Sequence, residues 1–219
     1  MSKLSTRARK RMLAVAAVAG VATSMSLVNA TSAHAAGVPT GATGTTVLVI
    51  GGPAVATLAA NGCGAVTVTG NNGASATQTA KNQWKITLHI NEIDVNGNGG
   101  IELKHQGSIE LQNTCYDITL AALRITNYGN ADQFTTFDLN AVLHSPDDTQ
   151  RYVVGELDLT DAQLSSSGNK VRITKENLYL APEGAEEFNE LATGDPFATG
   201  PFFAGEKIGN GKTTVVFTY

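Results

Sequence analysis

In several runs between residue 64 and the C-terminal end, apolar side chains recur at every second position, a period that admits strands and excludes amphipathic helices there. Trp84, Ile86, Leu88 and Ile90 share one phase while Lys85, Thr87 and His89 share the other. The next run repeats the pattern, with Ile101, Leu103, Ile109 and Leu111 on one side and Glu102, Lys104, Ser108 and Glu110 on the opposite side. Each such strand has one buried and one wet face. Further strands are expected at 45–50, 64–69, 116–125, 135–144, 151–159, 170–180 and 212–218. Turn residues separate them, as in Gly70-Asn71-Asn72-Gly73 and Ser145-Pro146-Asp147-Asp148. The expected fold class is all-β, an antiparallel β-sandwich of immunoglobulin-like type. Two short helices complete it. One covers Ala54 to Ala60 after Pro53, and one opens at Pro182 with Glu183, Glu186 and Glu187 near its positive end.

The first 35 residues follow a different rule. Lys3, Arg7, Arg9, Lys10 and Arg11 precede an Ala/Val/Leu-rich run from Met12 to about Val28, and Ala33-His34-Ala35 offers a small-x-small cleavage site. This pattern is that of a secretory signal peptide cut after Ala35. Residues 36–44 are then a flexible lead-in, and 45–219 form a single domain. No second apolar run of ~20 residues follows, so no membrane span is expected. Removal of the leader leaves ten basic against nineteen acidic residues, a net charge of −9. Scattered basic residues on an acidic chain argue against nucleic acid and anionic lipid as partners. An unidentified envelope or extracellular partner fits better. The two cysteines, Cys63 and Cys115, both lie in the exported part, where an oxidising compartment predicts that they pair.

Few residues offer chemistry. His105 falls in the inward phase of its strand, between Leu103 and Gly107, where alternation predicts an apolar side chain. It is either a hydrogen-bonded core histidine or a pocket histidine beside which Gly107 leaves space for a ligand. Asp94-Val95-Asn96-Gly97-Asn98-Gly99-Gly100-Ile101 reproduces the start of a calcium loop, with Glu102 as a further oxygen donor. Position 12 of that loop is His105 in place of a bidentate glutamate, and both flanks read as strands. An Asn/Gly hairpin turn explains the same residues. No Gly-x-Ser-x-Gly elbow, His-Glu-x-x-His pair or phosphate loop occurs. His144, Ser145, Asp147 and Asp148 bring triad residue types together at a turn. The expectation is a non-enzyme with no catalytic residues and no obligatory cofactor.

One stretch resembles a known family. Gly99-Gly100-Ile101-Glu102-Leu103-Lys104-His105-Gln106-Gly107, followed by Tyr116-Asp117-Ile118-Thr119-Leu120-Ala121-Ala122-Leu123-Arg124-Ile125, is similar to the central signature of HtaA-type domains. The similarity continues through Val153 to Leu159 and Leu178 to Ala185. Such domains are secreted or wall-linked β-sandwich modules of actinobacteria, and characterised members bind haem. The resemblance implies that His105 stands at the family's conserved histidine, which supports an iron-ligating tyrosine. Haem-binding members carry that tyrosine near the domain's N-terminus, whereas this chain has no tyrosine before Tyr116. If Leu111 pairs with Tyr116, His105 faces Ala122 and Tyr116 lies about 20 Å away along the sheet. The sequence therefore reads as an HtaA-like binding or envelope-associated module whose ligand is lost or altered. A haem-binding module for iron acquisition and a weak calcium-binding domain are the alternatives.

Overall fold

A computed structural model describes residues 39–51, 55–56, 59, 63–95, 100–115, 117–127, 136–145, 148–193, 200 and 202–219. Twelve strands and one helix are defined among them. These are β1 (Gly41–Gly51), β2 (Thr67–Asn71), β3 (Ala74–Ala80), β4 (Gln83–Val95), β5 (Ile101–Gln106) and β6 (Ser108–Gln112). They continue with β7 (Asp117–Asn127), β8 (Thr136–Ser145), β9 (Asp148–Asp158), β10 (Gln163–Ser167), β11 (Lys170–Leu180), α1 (Pro182–Thr193) and β12 (Lys207–Thr218). The expected signal segment, residues 1–35, lies outside the described residues, and β1 starts at Gly41, inside the expected lead-in.

The expected sandwich is corrected to a barrel. Hydrogen bonding runs β7-β5-β4-β1-β12-β11-β9-β8 and returns from β8 to β7, closing eight antiparallel strands on themselves. β3 adds to β4, β10 adds to β11, and β2 adds to β6, which in turn pairs with β7. Closure needs strands that bend, and bulges supply the bends. Register shifts fall between Ile90 and Glu92, Ala121 and Arg124, Leu139 and Asn140, and Thr174 and Glu176. Ala122 and Lys175 take positive φ at two of them, 47° and 62°.

One interior holds the apolar phase. Ile86, Leu88, Ile90, Leu103, Ile109, Leu111, Ile118 and Val215 are all buried, as the alternation requires. The second expected helix is α1, with proline at its start and Glu183 in its first turn. The Glu183 carboxylate accepts the Val153 N–H at 2.7 Å, and a Cβ on Gly184 would collide with the Val154 backbone. The helix thus sits directly on β9. Asn189 then fixes the returning chain by exchanging two hydrogen bonds with the Phe202 backbone, at 2.9 and 2.7 Å. Of the first expected helix, Ala54 to Ala60, only Val55, Ala56 and Ala59 are described. α1 is therefore the one defined helix among the described residues, against the two expected.

The long strand expected from 100 to 111 breaks at Gly107 (φ 92°) into β5 and β6. A Cβ there would strike the Asn71 carbonyl oxygen and the Ala74 N–H nitrogen of the β2–β3 connection. Gly107 makes room for backbone, not for a ligand. Gly107→Ala combines that collision with an unfavourable φ, and it is expected to lower unfolding free energy by about 2 kcal/mol or more. A urea midpoint unchanged from the parent would show that the β2–β3 connection yields freely.

Candidate functional site

His105 enters the barrel from β5 and is only 6% exposed. Its ring is held on both sides. Nδ1 lies 3.3 Å from the Leu123 carbonyl oxygen, and Nε2 lies 2.9 Å from Thr46 Oγ1. A carbonyl only accepts, so Nδ1 carries the hydrogen of the neutral ring and Nε2 accepts the Thr46 hydroxyl. Burial holds the imidazole down at about 4, a depression that its bond to Leu123 only partly offsets. Leu123 faces His105 because of the bulge at Ala122. The pairing of β6 with β7 puts Leu111 opposite Ile118, not Tyr116, and the expected position of Ala122 is corrected accordingly.

The row continues away from the ring. Thr46 Oγ1 lies 3.4 Å from Thr213 Oγ1, and Thr213 Oγ1 lies 3.3 Å from Glu176 Oε2, donating to it when the carboxyl is ionised. Thr46, Thr213 and Glu176 are 0%, 2% and 1% exposed. Burial pushes the Glu176 carboxyl up to about 7, against the lowering effect of its bonds to Thr213. Gly211 makes its seat, since a Cβ at that position would collide with the Glu176 carboxylate. Four strands, β5, β1, β12 and β11, thus contribute one side chain each to a polar row inside the barrel.

Glu176 is the residue that sequence reasoning missed. The signal was present. Val171 and Ile173 point inward at odd positions, while Leu178 and Leu180 point inward at even ones. A change of parity within one strand marks a bulge, and here the bulge at Lys175 turns Glu176 into the core.

Beside the row is a cavity of about 100 Å³ whose lining presents no polar atom. Leu48, Leu88, Leu123 and Leu178 come from the barrel wall, and Phe188 and Phe202 come from α1 and the segment after it. Phe188 and Phe202 pack with ring centroids 5.7 Å apart. Pockets for drug-sized ligands span ~300–1,000 Å³, so this space is too small to seat a haem as it stands.

The other sequence candidates lie elsewhere. Asp94 and Glu92 both hold Lys104, at 2.6 and 2.7 Å, and Glu102 holds Arg124 at 3.0 Å. A calcium ion at this loop would have to break the Asp94 and Glu102 pairs, and Asn96 and Asn98 lie outside the described residues. Among the described residues no group of three His, Cys, Asp or Glu side chains could hold a metal. His144 and Ser145 lie in β8 and Asp148 in β9, while Asp147 falls outside the described residues. Tyr152 and Tyr179 are half-buried, Tyr219 is 49% exposed, and Tyr116 and Tyr128 are outside the described residues. No described tyrosine takes either nitrogen of His105. Cys63 and Cys115 form a disulfide, as expected. Thr114 reinforces it, donating through N–H and hydroxyl to the Cys63 carbonyl at 3.1 and 2.7 Å.

A closed eight-stranded barrel with α1 against its wall defines a class seen in solved structures. The C-terminal domain of HtaA from Corynebacterium glutamicum matches with a TM-score of 0.56 at 16% identity, over 81% of this chain and 98% of that one. Heme binding protein HtaB from Corynebacterium glutamicum matches with a TM-score of 0.53 at 11% identity, over 81% and 94% respectively. The fold is therefore HtaA-like. No protein-family profile and no curated protein matches the sequence.

Proposed function

We propose that the chain is a secreted, non-catalytic HtaA-like module of the cell envelope or its surroundings, in which the haem ligand is lost or altered. The observation that carries this reading is the state of His105. The family resemblance assigns that position to a histidine supporting an iron-ligating tyrosine. Here the partner from the N-terminal strand is Thr46, and the second ring nitrogen is spent on Leu123. A threonine hydroxyl offers iron no tyrosinate-like ligand. The small apolar cavity supports the same reading. Export is supported by the leader pattern at 1–35 and by the disulfide, which suits an oxidising compartment.

Haemin titration tests the ligand. Association is expected to be weak and non-stoichiometric, without the sharp Soret band of a tyrosine-ligated site. His105→Ala should leave that association unchanged while lowering unfolding free energy by about 2–4 kcal/mol, through a cavity and unpaired Thr46 and Leu123 groups. A one-to-one complex with a sharp Soret band, lost on substituting His105 or one tyrosine, would replace this reading with a haem-binding module for iron acquisition.

A further inference from the structure

His105 and Glu176 are the only ionisable side chains buried among the described residues, and two threonine hydroxyls connect them. Hydrogen counting restricts what such a row can be. Each threonine hydroxyl has one hydrogen. Leu123 fixes the neutral ring with its hydrogen on Nδ1, so the Thr46 hydrogen goes to Nε2. The Thr46–Thr213 contact must then use the Thr213 hydrogen. With the Thr213 hydrogen so used, the 3.3 Å contact with Glu176 is a hydrogen bond when the carboxyl supplies the proton; an ionised carboxyl would instead take the Thr213 hydrogen and leave the Thr46–Thr213 contact with none.

We propose that Glu176, Thr213, Thr46 and His105 are one buried proton relay holding a single exchangeable proton between carboxyl and imidazole. Two arrangements satisfy every link. In the first, Glu176 donates to Thr213, Thr213 to Thr46, Thr46 to His105 Nε2, and Nδ1–H to the Leu123 carbonyl. In the second, the Glu176 proton has passed to Thr213, the Thr213 proton to Thr46 and the Thr46 proton to Nε2. One O–H bond breaks and one forms at each hydroxyl, leaving a carboxylate and an imidazolium with no net change of charge. The other two protonation states each leave one link with no hydrogen or with two.

The surroundings select the first arrangement. His105 is met by Ile90 across from β4 and by Leu123 from β7. Glu176 is met by Gly211 and Thr213 from β12, with Leu157 of β9 against the same glycine. No charged group faces either from these elements, and burial penalises both ions. The resting relay is neutral and ordered from Glu176 toward Leu123. This order is independent of whether the module takes a ligand.

Nuclear magnetic resonance of the full exported chain, with ¹⁵N in histidine and ¹³C in the glutamate carboxyls, tests the relay. At pH 5.5, His105 is expected as the neutral ring with its hydrogen on Nδ1, and Glu176 as the protonated acid. Glu176→Gln should keep that tautomer, because its amide N–H can donate to Thr213. As Glu176 ionises near pH 7, the Nε2 shift of His105 should move in step, and Thr213→Val should abolish that step. A hydrogen on Nε2 of the neutral ring, an ionised Glu176 at pH 5.5, or an undiminished step in Thr213→Val would each overturn the relay. Should Thr213→Val not fold, the Nε2 step near pH 7 in the parent and its absence in Glu176→Gln still decide, and a parent without the step or a Glu176→Gln chain that keeps it would overturn the relay.

Discussion

Replacing both Cys63 and Cys115 with alanine is expected to lower unfolding free energy by about 4 kcal/mol, the chain-entropy value for a closed loop of this length. The bond spans a sequence separation of 52 and joins the segment ahead of β2 to the β6–β7 connection. β2 pairs with β6 at the open end of the sheet path, so its attachment depends on that staple more than any barrel strand does. Denaturant unfolding with and without reductant should show a lower midpoint and a steeper slope in reductant, because the reduced unfolded chain exposes more surface. A loss below about 1 kcal/mol would mean that the reduced unfolded chain remains constrained by other contacts.

The second large effect is a pair of opposite pH dependences that cancel in the parent chain. Glu176 is raised from 4.5 to about 7 by burial, so its stabilising contribution is complete below 4.5 and is lost as pH rises through 7. His105 is lowered from 6.5 to about 4, so its contribution is complete above 6.5 and is lost as pH falls through 4. Each group alone changes stability by about 3 kcal/mol between pH 4 and pH 7, with opposite signs. Together they leave a variation of about 1 kcal/mol or less from this source. Relative to the parent, Glu176→Gln should therefore lose stability on acidification from pH 7 to pH 4. His105→Gln should lose it over the same range on going from pH 4 to pH 7. Parallel curves for parent and both variants would show that neither group is held away from its ordinary ionisation.

Much of the barrel was legible because burial on one face writes a period of two into the sequence. The run Trp84 to Ile90 and the run Ile101 to Leu111 were readable this way, and the start of α1 at Pro182 was readable from its proline and the acidic residues after it. β3 and β10 were not, since Ala-Ser-Ala-Thr-Gln-Thr-Ala and Gln-Leu-Ser-Ser-Ser carry no apolar alternation and stay mostly exposed on the outer edges. The inward direction of His105 was likewise readable from its phase. Its partners were not, because Thr46 and Leu123 arrive from strands 59 and 18 residues away.

The sequence by itself determined that the chain after about residue 45 is made mostly of strands, which side chains of most of them turn inward, and that Cys63 would meet Cys115. These follow from local alternation and from the chain having two cysteines. Only the tertiary structure decided between sandwich and barrel, because both give every strand one wet and one dry face. The choice was made by non-local register. Bulges at Ala122 and Lys175 bend β7 and β11, the β7–β8 pairing closes the ring, and the Lys175 bulge turns Glu176 inward toward Thr213, Thr46 and His105.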